Sequence, residues 1–283
     1  MSWTEYVTVD ALERYEELRT TEGDVTTIVV EALPDGASYR AELDAPPVGE
    51  GAVVLPTVIP VDASGDLVHE GDFVGQYAWC LEEADRRLRA LGLSLDNAVT
   101  TFDYSTPETR DVYRRTHRER KARLGGGGTF PGAGGILMSR LHRPGQLVAL
   151  DVTASRLPLK NVNPGWSRYD TLTYMPGVLA GDTLYMSGFA ALDMETQEAL
   201  FPDDSVAQAE VTYAAIQLVL DEVGASADRL AHVLEYICPG GDGPAIGAVR
   251  ERHFPQAKAS VADCAGLLRP EFLFEVFPTA VLV

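Results

Sequence analysis

The chain carries the same pattern of residues twice, and this duplication limits the possible folds more than any other feature. The run from Leu184 to Asp193 is apolar and ends in an aspartate, and the run from Val53 to Asp62 has the same form. Further matches follow in the same order along both halves. Each copy has about the length of a small domain, and solenoid arrays need at least three copies, so the sequence predicts a duplicated domain.

The later matches pair short segments of the first half with segments of the second. They are Val74-Gly75-Gln76 with Val206-Ala207-Gln208, Phe102 to Pro107 with Leu234 to Pro239, and Arg143-Pro144 with Arg269-Pro270. These matches predict four parts of the chain. They are an N-terminal extension with a helix and a strand (1–35), a diverged first repeat (36–155), an ordered connector (156–170) and a second repeat (171–283).

Each repeat is predicted to contain strands and helices in the same order. Apolar residues at helical spacing predict a helix over 72–91 in the first repeat and over 205–223 in the second, and a glycine follows each. The predicted fold class is α+β, with a mixed β-sheet and two helices on one of its faces in each half. In the N-terminal extension, residues 8–18 predict a short amphipathic helix, with a lid over a pocket as the alternative, and 25–30 predict a strand.

Composition excludes several classes of function. A formal charge of −19 and a pI near 4.6 disfavour nucleic acid and anionic membrane surfaces as partners, because the overall field repels polyanions. Three cysteines without CxxC spacing predict reduced thiols in a cytoplasmic protein, and no apolar run approaches the roughly 18 residues of a membrane span. The five histidines show no metal-binding spacing, so no metal and no cofactor are predicted.

Ordered motifs in the second repeat resemble those of the RidA (YjgF/YER057c/UK114) family of imine and enamine deaminases. The motifs are Tyr174, Ser187-Gly188, Gln208 near the start of a helix, Val223 to Ser226, and a closing strand after Leu267-Leu268. The two-copy chain also resembles the chorismatases, which have two such domains. The resemblance implies a chorismate-mutase-like fold for each repeat, a small-molecule substrate, a pocket between neighbouring sheets and a homo-oligomer, either a trimer or a dimer.

The resemblance carries two family positions over directly. Tyr174 matches the family's pocket tyrosine, and Ser187-Gly188 match its Ser-Gly pair, with Pro56-Thr57 at that place in the first repeat. The family arginine that holds the substrate carboxylate does not carry over. Ungapped counting places Ser260 there in the second repeat and Gly134 in the first.

Three charged residues are candidates for the missing roles. Lys258 lies two residues before Ser260, so on a strand it shares its face. The family glutamate position is Phe277 in the second repeat and Asp151 in the first, and Glu275 shares the face of Phe277. The predicted catalytic residues are therefore Asp151, Lys258, Glu275 and Tyr174, and the predicted substrate-binding residues are Ser187, Gly188, Ser260, Phe277 and Arg140.

Because the two repeats have lost opposite parts of the family site, we expect one composite pocket with Asp151 from the first repeat and Lys258 from the second. The basic run 114–121 is interpreted as a solvated helical face, with an anion-collecting rim of the pocket as the alternative.

The leading functional hypothesis is a RidA-like enzyme that acts on a small anionic, carbonyl or imine metabolite by hydrolysis or proton transfer, in a specialised pathway such as secondary metabolism. A chorismatase-like hydrolase and a non-catalytic ligand-binding or scaffold protein are the alternatives.

Overall fold

The computed structural model describes residues 2–23 and 25–283, which form fourteen β-strands and five α-helices. The strands are β1 Trp3–Thr8, β2 Val25–Val30, β3 Tyr39–Leu43, β4 Ala52–Val54, β5 Ala98–Ser105, β6 Gly132–Leu137, β7 Val148–Ser155, β8 Leu159–Val162, β9 Gly177–Ala180, β10 Thr183–Met186, β11 Leu230–Ile237, β12 Lys258–Asp263, β13 Gly266–Leu267 and β14 Phe274–Val281. The helices are α1 Tyr15–Leu18, α2 Phe73–Ala90, α3 Thr116–Arg123, α4 Ser205–Glu222 and α5 Gly243–His253.

The two repeats share one sheet topology, as the duplication predicts. The first repeat has the order β6-β5-β7-β4, and the second has the equivalent order β12-β11-β14-β10. In both, the first pair is parallel and the next is antiparallel. Each antiparallel pair has an irregularity at its start, between Ala98 and Thr100 in one and between Leu230 and His232 in the other. The α+β class with helices on each sheet is confirmed.

The long helices begin and end in the same way in both repeats. Asp72 and Asp204 cap α2 and α4 through their side chains, which satisfy backbone N–H groups of the first turn. Four residues later, Gln76 and Gln208 each donate to two carbonyls and accept a backbone N–H from the loop before the last strand. These shared contacts explain why the two glutamines persist while most other positions have diverged.

The N-terminal extension is a third sheet, and this corrects the predicted domain boundaries. Strands β2, β1 and β3 pair in that order, so residues 39–43 belong to this sheet and not to the first repeat. The predicted helix over 8–18 is also wrong in part. Residues 9–14 form a 3-10 helix, and only Tyr15–Leu18 form an α-helical turn. The residues before them, Trp3–Thr8, are an extended strand buried in the sheet.

The connector 156–170 is ordered, and part of it is sheet. Strand β8 pairs antiparallel with β9 and forms the edge of the second repeat's sheet. Trp166 packs against that repeat's core. The connector therefore ends inside the second repeat rather than before it.

The three sheets meet in a shared central core. A cluster of buried residues joins Tyr6 and Ile28 of the N-terminal sheet to Tyr104 of the first repeat and Tyr236 of the second. The hydroxyls of the equivalent residues Tyr104 and Tyr236 lie 2.9 Å apart. Strand β13 of the second repeat also pairs with β6 of the first, so the sheets of the two repeats are joined. None of the helices in the described ranges has the length and apolar character needed to cross a membrane.

Candidate active site

A cavity of about 530 Å³ lies between the two repeats. The second repeat and connector provide one wall, which includes Arg168, Tyr174, Gly188 and Glu275. The first repeat provides the opposite wall from strand β6 and helix α3. Both repeats therefore contribute walls to this cavity, although several of the predicted site residues lie elsewhere.

The Ser-Gly pair joins the two walls. Ser187 donates its hydroxyl to the carbonyl of Met175 at 2.6 Å and accepts the backbone N–H of Ala133 at 2.9 Å. The next backbone N–H, of Gly188, donates to the carbonyl of Ala133 at 2.9 Å. Ser187 is buried and structural, while Gly188 lines the cavity. Of this predicted pair, only Gly188 is placed to contact a ligand.

Glu275 supplies a carboxyl group to the cavity from strand β14. It is partly accessible, and among the described residues it has no hydrogen-bond partner. A β-carbon at Gly188 would overlap its Oε1, so the carboxyl lies against bare backbone. Burial raises the pKa of Glu275 to about 8, and the nearby charge of Asp103 acts in the same direction. At neutral pH this group is a protonated acid with a proton to donate.

Cationic side chains also line this cavity, in contrast to the acidity of the whole chain. Arg168 donates to the Tyr174 hydroxyl at 3.2 Å, and its guanidinium lies 5.2 Å from the ring centre of Tyr169. Its buried Nε has no hydrogen-bond partner, and the described residues give Arg168 no carboxylate partner. Arg168 is therefore available to bind an anionic group of a ligand.

The basic run borders the cavity mouth, which favours the alternative interpretation of that run. Arg114 and His117 are exposed at the rim, and Arg120 of α3 is buried and also lines the cavity. Arg120 donates to the hydroxyls of Tyr77 and Thr101 and to the carbonyl of Thr173. The prediction that this run is a solvated helical face is thus wrong for Arg120, which is held in place by groups from both repeats.

A buried acid lies behind this wall. Asp103 on β5 accepts hydrogen bonds from the Tyr113 hydroxyl at 2.9 and 2.8 Å and from the Tyr77 hydroxyl at 3.3 Å. Burial raises the pKa of Asp103 to about 7, and the charge of Arg120 limits the rise. Tyr113 lines the cavity, so it connects Asp103 to the ligand space.

Lys258 and Ser260 lie away from the cavity, which corrects two predicted site residues. Lys258 is exposed at the start of β12. Ser260 is buried beside the N-terminal sheet, where it donates to Glu42 and lies 2.9 Å from His232 Nε2. The alternation along β12 predicts the face on which Ser260 lies, but this face packs against the N-terminal sheet and not against the first repeat.

Asp151 is also separated from the cavity. It accepts the Thr57 hydroxyl at 2.6 Å and lines a smaller cavity of about 60 Å³ under the N-terminal sheet. Burial raises its pKa to about 7. Phe277 lies between the two spaces, because a β-carbon at Gly134 would overlap its ring and its centroid is 4.4 Å from that of Phe102. The composite pocket of Asp151 and Lys258 is therefore wrong, and Phe277 is a dividing wall.

The last predicted binding residue, Arg140, is exposed after β6 and does not line the cavity. Sequence reasoning named Tyr174, Gly188 and Glu275 but missed Arg168, Arg120, Asp103 and Tyr113. One available signal was the pair Asp103 and Glu235, acids at equivalent positions in otherwise apolar strands of the two repeats. In the described ranges, no group of three His, Cys, Asp or Glu side chains could hold a metal ion.

Comparison with known proteins gives one family match and several distant relatives. Residues 169–282 match the family model described as Endoribonuclease L-PSP. The 3-aminoacrylate deaminase RutC of Acinetobacter baylyi is 28% identical over 108 residues, which are 38% of this chain and 85% of that protein.

Solved structures match at lower identity. A chorismatase structure covers 99% of this chain and 92% of its own, with 16% identity and a TM-score of 0.62. A member of the YjgF/YER057c/UK114 family from Mycobacterium tuberculosis is 19% identical, covers 44% of this chain and 99% of its own, and has a TM-score of 0.36. The chorismatase match extends the shared fold over both repeats.

Proposed function

We propose that this chain, a tandem RidA-like protein, is a hydrolase that protonates an electron-rich double bond in a small carboxylate. The double bond belongs to an enol ether or an enamine. The observation that carries this proposal is Glu275, an acid whose raised pKa keeps it protonated at neutral pH, in a cavity that also holds Arg168, whose buried Nε has no hydrogen-bond partner among the described residues. The similarity to a deaminase and to a chorismatase fold supports the same class of chemistry.

One sequence of steps serves both kinds of double bond. Glu275 transfers its proton to the terminal carbon, which leaves a cationic carbon next to the oxygen or nitrogen. Water adds to that carbon, and the adduct loses an alcohol or ammonia as the carbonyl forms. Glu275 regains a proton from the adduct's hydroxyl. From either 2-aminoacrylate or chorismate, the carbonyl product is pyruvate.

The cavity favours a substrate larger than 2-aminoacrylate. Its volume of about 530 Å³ lies within the usual range for small-molecule sites, and aromatic residues such as Tyr113, Tyr169 and Phe189 contribute to its walls. Arg168 is placed to bind a carboxylate, and Arg114 and Arg269 add positive charge around the space. A cyclic carboxylate with an enol-ether side chain, as in chorismate, matches this combination better than a three-carbon imino acid does.

The test measures pyruvate from two substrates. Purified protein is incubated with chorismate and, separately, with freshly generated 2-aminoacrylate, and pyruvate formation above the uncatalysed rate is followed. We expect turnover of the enol ether to exceed that of the enamine, and Glu275→Gln to lower kcat by about 10²-fold or more. Glu251→Gln, at an exposed position on α5, is the control and should match the wild type.

Two results would contradict the proposal. The first is the absence of turnover on both substrates although they bind, which would favour the non-catalytic alternative. The second is full activity of Glu275→Gln, which would remove the acid role. Faster turnover of 2-aminoacrylate than of chorismate would instead favour the deaminase-like form of the hypothesis.

A further inference from the structure

The two repeats carry an acid at the same place, but its surroundings differ. Asp103 on β5 and Glu235 on β11 each precede one of the equivalent tyrosines of the central core, and each is only 1% exposed. A carboxylate in the middle of a buried sheet is costly unless other groups satisfy it. The way each repeat satisfies its acid therefore indicates what the acid does.

In the second repeat the acid is fully paired within the core. Glu235 accepts a hydrogen bond from Tyr213 of α4 and forms an ion pair with Arg250 of α5 at 2.6 Å. None of these three residues lines the cavity. This is a closed structural network, since each partner comes from the helices that cover the same sheet.

In the first repeat the network opens to the cavity. Arg120 is the buried cation here, but it donates to the Tyr77 hydroxyl rather than to Asp103. Tyr113 instead donates to both oxygens of Asp103, at 2.9 and 2.8 Å. A β-carbon at Gly135 would lie 2.6 Å from the Tyr113 hydroxyl, and both residues line the cavity. The buried acid is thus linked to a residue of the cavity wall through one hydroxyl group.

We propose that Tyr113 and Asp103 activate the water molecule in the reaction assigned above. The inference rests on that proposed function and adds the residues that activate the attacking water. Because the Tyr113 proton is directed to Asp103, a lone pair of its oxygen remains to accept a proton from water in the cavity.

The proton transfers balance. As the water oxygen bonds to the cationic carbon, one O–H bond of water breaks and its proton passes to Tyr113, while the proton of Tyr113 passes to Asp103. When the adduct collapses, its hydroxyl proton returns to Glu275, and Asp103 gives its proton back through Tyr113 to the departing alcohol oxygen or amine nitrogen. Both carboxyl groups then have their starting protonation states.

The electrostatics support opposite protonation of the two acids. The pKa of Asp103 is about 7 and that of Glu275 is about 8. Burial raises the pKa of both groups. Arg120, Tyr113 and Tyr77 oppose this effect at Asp103, whereas the charge of Asp103 adds to it at Glu275. The surroundings therefore favour the carboxylate form of Asp103 more than that of Glu275, which is the order that an acid–base pair in one site requires.

The experiment compares one tyrosine from each of the two acid networks. Tyr113→Phe removes the hydroxyl that links a cavity-lining residue to Asp103, and Tyr213→Phe removes the hydroxyl that serves only the closed network. With chorismate as the substrate, we expect Tyr113→Phe to lower kcat about 10²-fold with KM within about threefold of the wild type. The acidic limb of the rate profile near pH 7 should disappear, while the alkaline limb near pH 8 remains. Tyr213→Phe should keep kcat and both limbs once the folded fraction is taken into account.

Asp103→Asn provides a second variant and should reproduce both effects of Tyr113→Phe. Wild-type kcat and an unchanged acidic limb in Tyr113→Phe would overturn the inference, as would equal losses in Tyr113→Phe and Tyr213→Phe. Glu275→Gln in the same assay separates the two proposals. If Glu275→Gln is inactive and Tyr113→Phe is fully active, only the water-activating role is wrong. Full activity of Glu275→Gln, or no turnover by the wild type, overturns both.

Discussion

The carboxyl group of Glu275 lies against the Cα of Gly188, in a space that no β-carbon at position 188 could share. Glu275 lies on strand β14, and Gly188 lies just after the end of the neighbouring strand β10. Both residues line the cavity. This contact fixes the position of the acid without giving it a hydrogen bond that would favour its charged form.

Gly188→Ala should therefore inactivate the site while preserving the fold. The new methyl group would overlap Glu275 Oε1 and lie 2.8 Å from Phe277 Cε1, so the acid must move. Displacements of about 1 Å can lower rates by about 10²-fold, and we expect kcat to fall by at least ~10-fold. Steady-state kinetics and near-UV circular dichroism would check this. Gly247→Ala on α5 is the control, where the nearest atom is 3.6 Å away, and it should be neutral or stabilising by about 0.5–1 kcal/mol. Unchanged kcat in Gly188→Ala would show that Glu275 is not held as described.

Arg168→Lys should weaken substrate binding more than it slows the chemistry. Lysine keeps the positive charge but loses the planar fork that binds a carboxylate at two points and the hydrogen bond to Tyr174. A lost charge-assisted hydrogen bond is worth about 1.5–3 kcal/mol, so KM should rise about 10–100-fold with a small change in kcat. Arg14→Lys, in an exposed ion pair with Glu17, is the control. If KM does not change in Arg168→Lys, the substrate carboxylate is held by another cation.

The duplication and fold class followed from the sequence because the same local contacts recur at matching positions. Asp72 and Gln76 in the first repeat have the same roles as Asp204 and Gln208 in the second. The N-terminal sheet did not follow from the sequence. Helical spacing over 8–18 is a local signal, whereas the pairing of β1 with β2 and β3 depends on residues up to 40 positions away.

The site was predicted only in part, and for a similar reason. Alternation along a strand gives the face on which Ser260 or Asp151 lies, but it does not say which neighbouring sheet covers that face. Tyr174 and Glu275 line the cavity because the first repeat covers this part of the second repeat. Arg120 was misplaced because a buried arginine within a basic run has the same local sequence as an exposed one.

Asp151→Asn should change the pH dependence of stability and leave kcat unchanged. The pKa of Asp151 is about 7 in the folded protein, above its ordinary value of 3.8, because the group is buried. Between these values the folded state binds more protons than the unfolded state, so the contribution of Asp151 to the free energy of unfolding falls as the pH rises from about 4 to 7. The variant cannot titrate, so its stability should fall less over this range. Urea unfolding at pH 5 and pH 8 measures the difference. A strong loss of kcat would instead support the catalytic role first predicted for Asp151.

Ser260→Ala should loosen the contact between the N-terminal sheet and the second repeat without affecting turnover. The Ser260 hydroxyl donates to Glu42 next to β12, and the neutral His232, whose pKa burial lowers to about 4, lies 2.9 Å from its oxygen. Removing the hydroxyl leaves Glu42 without this donor and should destabilise the protein by about 1 kcal/mol.

Hydrogen exchange should locate the effect of Ser260→Ala. The amides of β3, which contains Glu42, should exchange faster, while those of α4 on the far face of the sheet should be unchanged. Lys258→Met, two residues earlier and exposed, is the matched control and should alter neither exchange nor kcat. A large loss of kcat in Ser260→Ala with normal exchange in β3 would contradict the structural role and return Ser260 to the substrate-binding site, where counting along the strand had placed it.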